Sequence, residues 1–176
     1  MSRLPVAIAC PALLLLASCG SPSPALDDLA RAGHIDEDAP IRAERSIVID
    51  APETVVWKLL ADIDRWPQWQ PKIRAARLDG AFAVGRAFTW DNDGMEISSR
   101  LALIHPFRTL AWTGSAFGLH AVHVWTLSSQ RDGHVLVSTN ESMRGFPASL
   151  FYSSKALAET NDQWLRALKR RAESQR

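Results

Sequence analysis

From Lys72 to Met143 the chain is a run of short alternating segments broken by tight turns, and this run most narrows what it can fold into. Gly80 and Gly85 flank a turn ahead of Phe88-Thr89-Trp90. Asp91-Asn92-Asp93-Gly94 carries the residues that a short hairpin loop requires. Glu96 to Ile104 alternates and stops at Pro106, Thr109 to Thr113 follows, and Gly114 to Gly118 turns the chain again. His120 to Ser129 alternates, Asp132-Gly133 turns, and Val135 to Met143 returns. Strands this short, joined by turns this tight, pair with their sequence neighbours, so an antiparallel meander is expected. Gly145 and Pro147 end it. Ser149 to about Arg171 contains no Gly or Pro and predicts one long helix, with Leu150, Leu157, Trp164 and Leu168 on one apolar stripe. Ser153, Ser154 and Asn161 share that stripe, which suits a helix that lines a cavity as well as a core.

Ahead of the meander, Glu44 to Ile49 reads as a first strand rich in β-branched residues. Asp50 is the expected N-cap of a helix, with Pro52 in its first turn and Glu53 at the capping-box position. Val55, Val56, Leu59 and Leu60 follow at helical spacing. Asp62 starts a second short helix that is expected to stop at Trp66-Pro67.

The first residues read as a targeting signal. Arg3 is followed by an apolar run, Leu4 to Ala17, too short for a permanent membrane helix. Leu16-Ala17-Ser18-Cys19 resembles a bacterial lipobox, which implies cleavage before Cys19 and a lipid on its thiol. The expected division is a signal over residues 1–18, a lipidated Cys and flexible tether over 19–40, and one domain over 41–176. Ser21-Pro22-Ser23-Pro24 favours an extended tether, Leu26 to Ala32 allows one or two helical turns, and Asp36-Glu37-Asp38 is expected to be a solvated face. The protein is then exported and membrane-anchored, on the periplasmic or extracellular side of a bacterial envelope. Cys10 leaves with the signal and Cys19 is blocked, so no disulfide is expected. The chain has 20 Lys and Arg against 19 Asp and Glu, and losing Arg3 makes the mature side-chain charge zero. No nucleic-acid partner is expected of such a balance.

The order of one strand, two short helices, six strands and a long helix is the helix-grip layout. Ile47 to Leu60, Asp62 to Trp69, Pro106 to Gly114 and His123 to Leu127 resemble the START/SRPBCC superfamily, and its polyketide cyclase/dehydrase-like branch most of all. The resemblance covers about residues 42 to 172. It implies an α+β fold in which a curved antiparallel sheet of about seven strands wraps around the C-terminal helix, with an apolar cavity between them. It does not select among lipid carriers, small-molecule binders, cyclases and co-chaperones.

Seven of the fourteen aromatic residues are Trp. Trp112 and Trp125 alternate with Leu110 and Leu127, and Trp90 with Phe88, so all are expected to face the helix as core or cavity wall. Trp66 and Trp69 are expected at a cavity rim or in the core, and the direction of Trp57 stays open. If the last hairpin folds about residue 132, opposite residues sum to 264, and His123 faces Glu141, Trp125 faces Thr139 and Leu127 faces Val137. His123 and Glu141 are then either an acid–base pair at a ligand or a structural pair. Candidate ligand-binding residues are therefore Trp66, Trp69, Trp90, Leu101, Trp112, His123, Trp125, Glu141, Leu157, Asn161 and Trp164. His120 and His123 point to opposite faces, no residues have metal-ligand spacing, and no metal or cofactor is expected.

Three functions fit. The first is a membrane-tethered monomer that binds a small hydrophobic or amphipathic molecule, such as a lipid, in its cavity. The second is a cyclase- or dehydratase-like enzyme using His123 and Glu141. The third is an envelope protein-interaction module with a collapsed cavity and an exposed apolar patch.

Overall fold

The computed structural model describes residues 24–131 and 133–175; the expected signal, Cys19 and Asp132 lie outside them. The elements are helix α1 (Pro24–Arg31), strand β1 (Ile41–Ile49), helix α2 (Glu53–Ala61), a 3-10 helix (Ile63–Gln68), strands β2 (Ile73–Leu78), β3 (Ala87–Asn92), β4 (Met95–His105), β5 (Thr109–Ala116), β6 (Leu119–Ser129) and β7 (Val135–Arg144), a 3-10 turn (Ala148–Leu150) and helix α3 (Ser154–Glu173). Neighbouring strands are antiparallel throughout, in the order β1-β7-β6-β5-β4-β3-β2. This is the expected seven-stranded helix-grip sheet. Among the described residues no helix is long and apolar enough to cross a membrane.

Local chemistry sets the turns. Asp93 and Gly94 have φ of 56° and 95°, both left-handed, which is what a two-residue hairpin matching the strand twist demands. A register shift between Leu101 and Leu103 bends β4, so Leu101 enters the inner core while Ala102 faces outward. The β6–β7 register pairs His123 with Glu141, Trp125 with Thr139 and Leu127 with Val137, as the hairpin arithmetic expects.

Helix α3 lies in the concave face. Leu157 and Ala158 pack on Ile41 and Ala43 of β1, while Trp164, Leu165 and Leu168 enter the main core. Its far end is fixed where the Lys169 ammonium donates to the Val48 carbonyl at 2.7 Å and the Asp50 N–H donates to Glu173 at 2.9 Å.

Several helix expectations are corrected. Helix α3 starts at Ser154 rather than Ser149, because the Ser153 side chain accepts the Ala156 N–H at 3.1 Å and takes the N-cap. Leu150 therefore lies outside the helix and is exposed, not part of its stripe. Pro52 precedes α2 without a side-chain cap. The Asp50 carboxylate instead faces His134 at 3.3 Å, and Glu53 accepts the Ser129 hydroxyl. The second helix runs through Pro67 to Gln68 as a 3-10 turn. In that tighter geometry residues three apart eclipse, so Ile63 and Trp66 both turn inward, and Trp69 at its C-cap is buried as well.

The linker reading does not hold for residues 24–40. Leu26 and Ala30 of α1 pack against Ala102, Ala111, Val122 and Val124 on the convex face of the sheet. The Thr113 hydroxyl donates to Asp27 at 2.9 Å. Asp36 is buried rather than solvated, with its N–H on the Ser142 hydroxyl and its carboxylate on Arg144. Among the described residues the apolar clusters run from Leu26 to Ala172, so residues 24–40 belong with the domain's core.

Candidate functional site

Inward-facing positions shrink along the strands, and this gradient makes the site. On β5 they run Leu110, Trp112, Gly114, Ala116, and on β6 they run Leu127, Trp125, His123, Ala121. The Trp end is solid. Trp66 is fully buried at its centre, with the rings of Phe88, Trp90, Trp112 and Trp164 at 5.1–5.9 Å and its indole N–H on the Leu60 carbonyl at 3.0 Å. Toward Ala116 and Ala121 the side chains are too small to meet α3, and a half-open cavity of about 120 Å³ remains.

Seven of the sequence candidates meet at this cavity: Trp90, Trp112, His123, Glu141, Leu157, Asn161 and Trp164. Trp66, Trp69, Leu101 and Trp125 do not line it. They are buried in the packed cluster behind it, as core rather than wall or rim. Trp57 joins that cluster, with its ring 6.0 Å from Phe107. Sequence reasoning missed the small residues that create the space, Gly114, Ala116 and Ala121, and also Tyr152, which precedes α3. The signal for the first three was the loss of side-chain volume at alternate strand positions.

The cavity meets a second, more open hollow of about 370 Å³, because Asn92, Met95, Tyr152, Thr160 and Trp164 border both. Its outer rim is polar. There the Lys72 ammonium lies 2.7 Å from Asp93, and this contact holds the Asp93 carboxyl below its usual range.

His123, Glu141 and Asn161 are the buried polar residues of the inner cavity that carry unusual chemistry. Strand pairing sets His123 opposite Glu141, and α3 brings Asn161 down from above. The imidazole sits between Trp112 at 4.7 Å and Trp125 at 5.3 Å. Its Nε2 shares a 2.6 Å hydrogen bond with the Thr139 hydroxyl. Its Nδ1 lies 3.5 Å from a Glu141 oxygen and has no hydrogen-bond partner. The Asn161 amide is buried beside the Glu141 carboxyl, on which it acts as a side-chain hydrogen-bond partner without ideal geometry.

Burial decides the protonation states. Desolvation raises the Glu141 carboxyl to about 8, with the hydrogen-bonding contact from Asn161 opposing the rise, and lowers His123 to about 3. An ion pair would need close, well-hydrogen-bonded contact to offset the loss of water from two charges, and 3.5 Å without a hydrogen bond does not supply it. At neutral pH both groups are therefore uncharged. Glu141 is an O–H donor beside the Asn161 amide, and His123 Nδ1 is a further buried polar atom without a hydrogen bond in this hydrophobic hollow. A neutral carboxylic acid in such a place donates to an oxygen that has no other partner.

The sequence matches a family model described as polyketide cyclase / dehydrase and lipid transport over residues 40–173. No curated protein matches it significantly. Among solved structures, a hypothetical protein, jhp0584, from Helicobacter pylori is 18% identical, with a TM-score of 0.69 over 77% of this chain and 90% of that one. A START superfamily protein from Mycobacterium smegmatis is 14% identical, with a TM-score of 0.66 over 77% of this chain and 99% of that one. The Zhui aromatase/cyclase from Streptomyces sp. R1128 is 17% identical, with a TM-score of 0.56 over 80% of this chain and 94% of that one.

Proposed function

Because the chain belongs to the polyketide cyclase / dehydrase and lipid transport family, we propose that it binds one small, neutral, largely apolar molecule bearing an oxygen function. The observation that carries this reading is the buried trio of His123, Glu141 and Asn161, whose polar atoms are incompletely hydrogen-bonded in a largely apolar cavity. Buried polar atoms without partners are costly, by about 1–3 kcal/mol each, and a ligand oxygen reaching them would relieve that cost. A hydroxyl or carbonyl suits the Glu141 O–H and the Asn161 amide. A charged ligand does not suit a site with no ionised partner.

Size narrows the class. The cavity of about 120 Å³ is close to the ~150 Å³ apolar cavity that admits benzene. A single ring fits, stacked among Trp90, Trp112 and Trp164, with substituents extending into the outer hollow. Acid–base catalysis by His123 and Glu141 finds less support. A histidine held at about 3 is a weak base at neutral pH, and the pair lacks the hydrogen bond that a proton relay uses.

A thermal-shift panel of phenols, cyclic ketones and long-chain fatty acids tests the reading. Phenols or cyclic ketones should raise the melting temperature, and Ala121→Leu, which fills the cavity from β6, should remove the shift while keeping the fold. Stabilisation only by the fatty acids, or an equal shift in the filled variant, would contradict it.

A further inference from the structure

Four large apolar side chains stand exposed at the end of the sheet where the cavity opens: Phe117 (79%), Phe146 (82%), Leu150 (69%) and Phe151 (86%). They belong to two loops that touch. Gly145 lies so close to Gly118 that a Cβ on it would collide with the Gly118 carbonyl oxygen. Phe117 therefore flanks one side of this contact and Phe146 the other. Phe117 also holds a left-handed φ of 49° at the tip of a two-residue turn, a conformation that a bulky side chain adopts at a cost. Its ring is exposed there rather than packed in the core. Tyr152, next to Phe151, borders both hollows, so the apolar loops edge the cavity mouth.

We infer that this end of the molecule docks on a lipid bilayer, with Phe117, Phe146, Leu150 and Phe151 entering the interface. Charge fits such a surface. Residues 114–121 and 145–157 contain no Asp or Glu, while Lys155 is exposed in the first turn of α3, so nothing in these segments repels anionic headgroups. The course of the chain fits as well. Asp27 in α1 meets Thr113, and Gly33 beyond α1 lies against Leu103 and Thr109, so α1 runs away from the Phe117 end of β5. The chain entering α1 thus comes from that end. Cys19, the residue expected to carry a lipid, precedes Pro24 by five residues, a reach of up to about 17 Å. An acyl anchor there and the exposed rings would engage the same membrane, and two weak signals together give stable attachment. The cavity mouth then faces the bilayer, and its ligand can pass between the two without crossing water. That last consequence rests on the ligand reading above, whereas the docking does not.

The test uses the chain from residue 24 onward, without Cys19, after a cooperative melt and native-like circular dichroism show that it folds, with vesicles of phosphatidylcholine and phosphatidylglycerol. Sedimentation should carry the protein down with the vesicles. Phe117→Ser, Phe146→Ser and Phe151→Ser combined should cut partitioning at least about tenfold with an unchanged melting temperature. Docking is overturned if the unaltered protein stays in the supernatant, if the triple variant partitions equally, or if the loops instead form a dimer that the triple variant breaks. A triple variant that still binds a phenol in solution separates this surface from the cavity. Vesicle binding by a protein that takes no phenol supports docking and overturns the ligand reading alone.

Discussion

Trp66→Ala should lower the unfolding free energy by about 3–5 kcal/mol, the range for deleting a fully buried large aromatic. Its ring meets Phe88, Trp90, Trp112 and Trp164, so it joins the strands, the 3-10 helix and α3 at one point. Removing it leaves the Leu60 carbonyl without its indole donor and opens a void beside the existing cavity. In a domain of this size each kcal/mol shifts the melting temperature by roughly 2–4 °C, so a drop of about 10 °C or more is expected in a calorimetric scan. Phe146→Ala, at an exposed ring, should leave the scan almost unchanged. Equal effects from the two substitutions would show that Trp66 is not the centre of the core.

The second large effect is on pH dependence. Glu141 rises from 4.5 to about 8 on folding, so the native state holds a proton that the unfolded chain has released. Its contribution is complete below pH 4.5 and is lost as pH climbs to about 8. His123 falls from 6.5 to about 3, so its contribution is complete above pH 6.5 and is lost as pH drops to about 3. Between 4.5 and 6.5 the two slopes cancel, since folding there moves one proton from the histidine to the carboxyl. These two groups therefore give a plateau between 4.5 and 6.5, with falling stability on both sides. Glu141→Gln removes the alkaline slope. The stability of the variant relative to the unaltered protein should grow by up to about 1.4 kcal/mol per pH unit between 4.5 and 8. Denaturant titrations across that range measure it. A constant difference would mean that Glu141 is ionised in the folded protein.

Much of the scaffold was legible because turn chemistry and strand period are local. Asp93-Gly94 marked its hairpin, and a fold expected about residue 132 gave the register that pairs His123 with Glu141 across seventeen intervening residues. Features that depend on distant partners were not legible. Helix α1 reads as tether because its few apolar residues, Leu26 and Ala30, gain meaning only against Ala102, Ala111, Val122 and Val124. Those outward positions were themselves a signal, since an apolar convex face needs a cover. The cavity was half legible. Its large walls, Trp90, Trp112 and Trp164, stand out in a sequence, whereas an empty volume is made by residues that attract no notice, Gly114 and Ala121. Trp66 and Trp69 read as rim or core, and the choice was not legible because the 3-10 geometry around Pro67, which leaves both indoles in the core, depends on packing against distant strands and α3.

A crystal of the domain soaked in 4-bromophenol tests the central claim most directly, because bromine is located by its anomalous signal alone. The expected result is one strong bromine peak among Trp90, Trp112 and Trp164 or at the outer hollow beside Tyr152, with the phenol hydroxyl within hydrogen-bond distance of Glu141 or Asn161. Peaks confined to the outer surface, with the inner cavity empty, would contradict it.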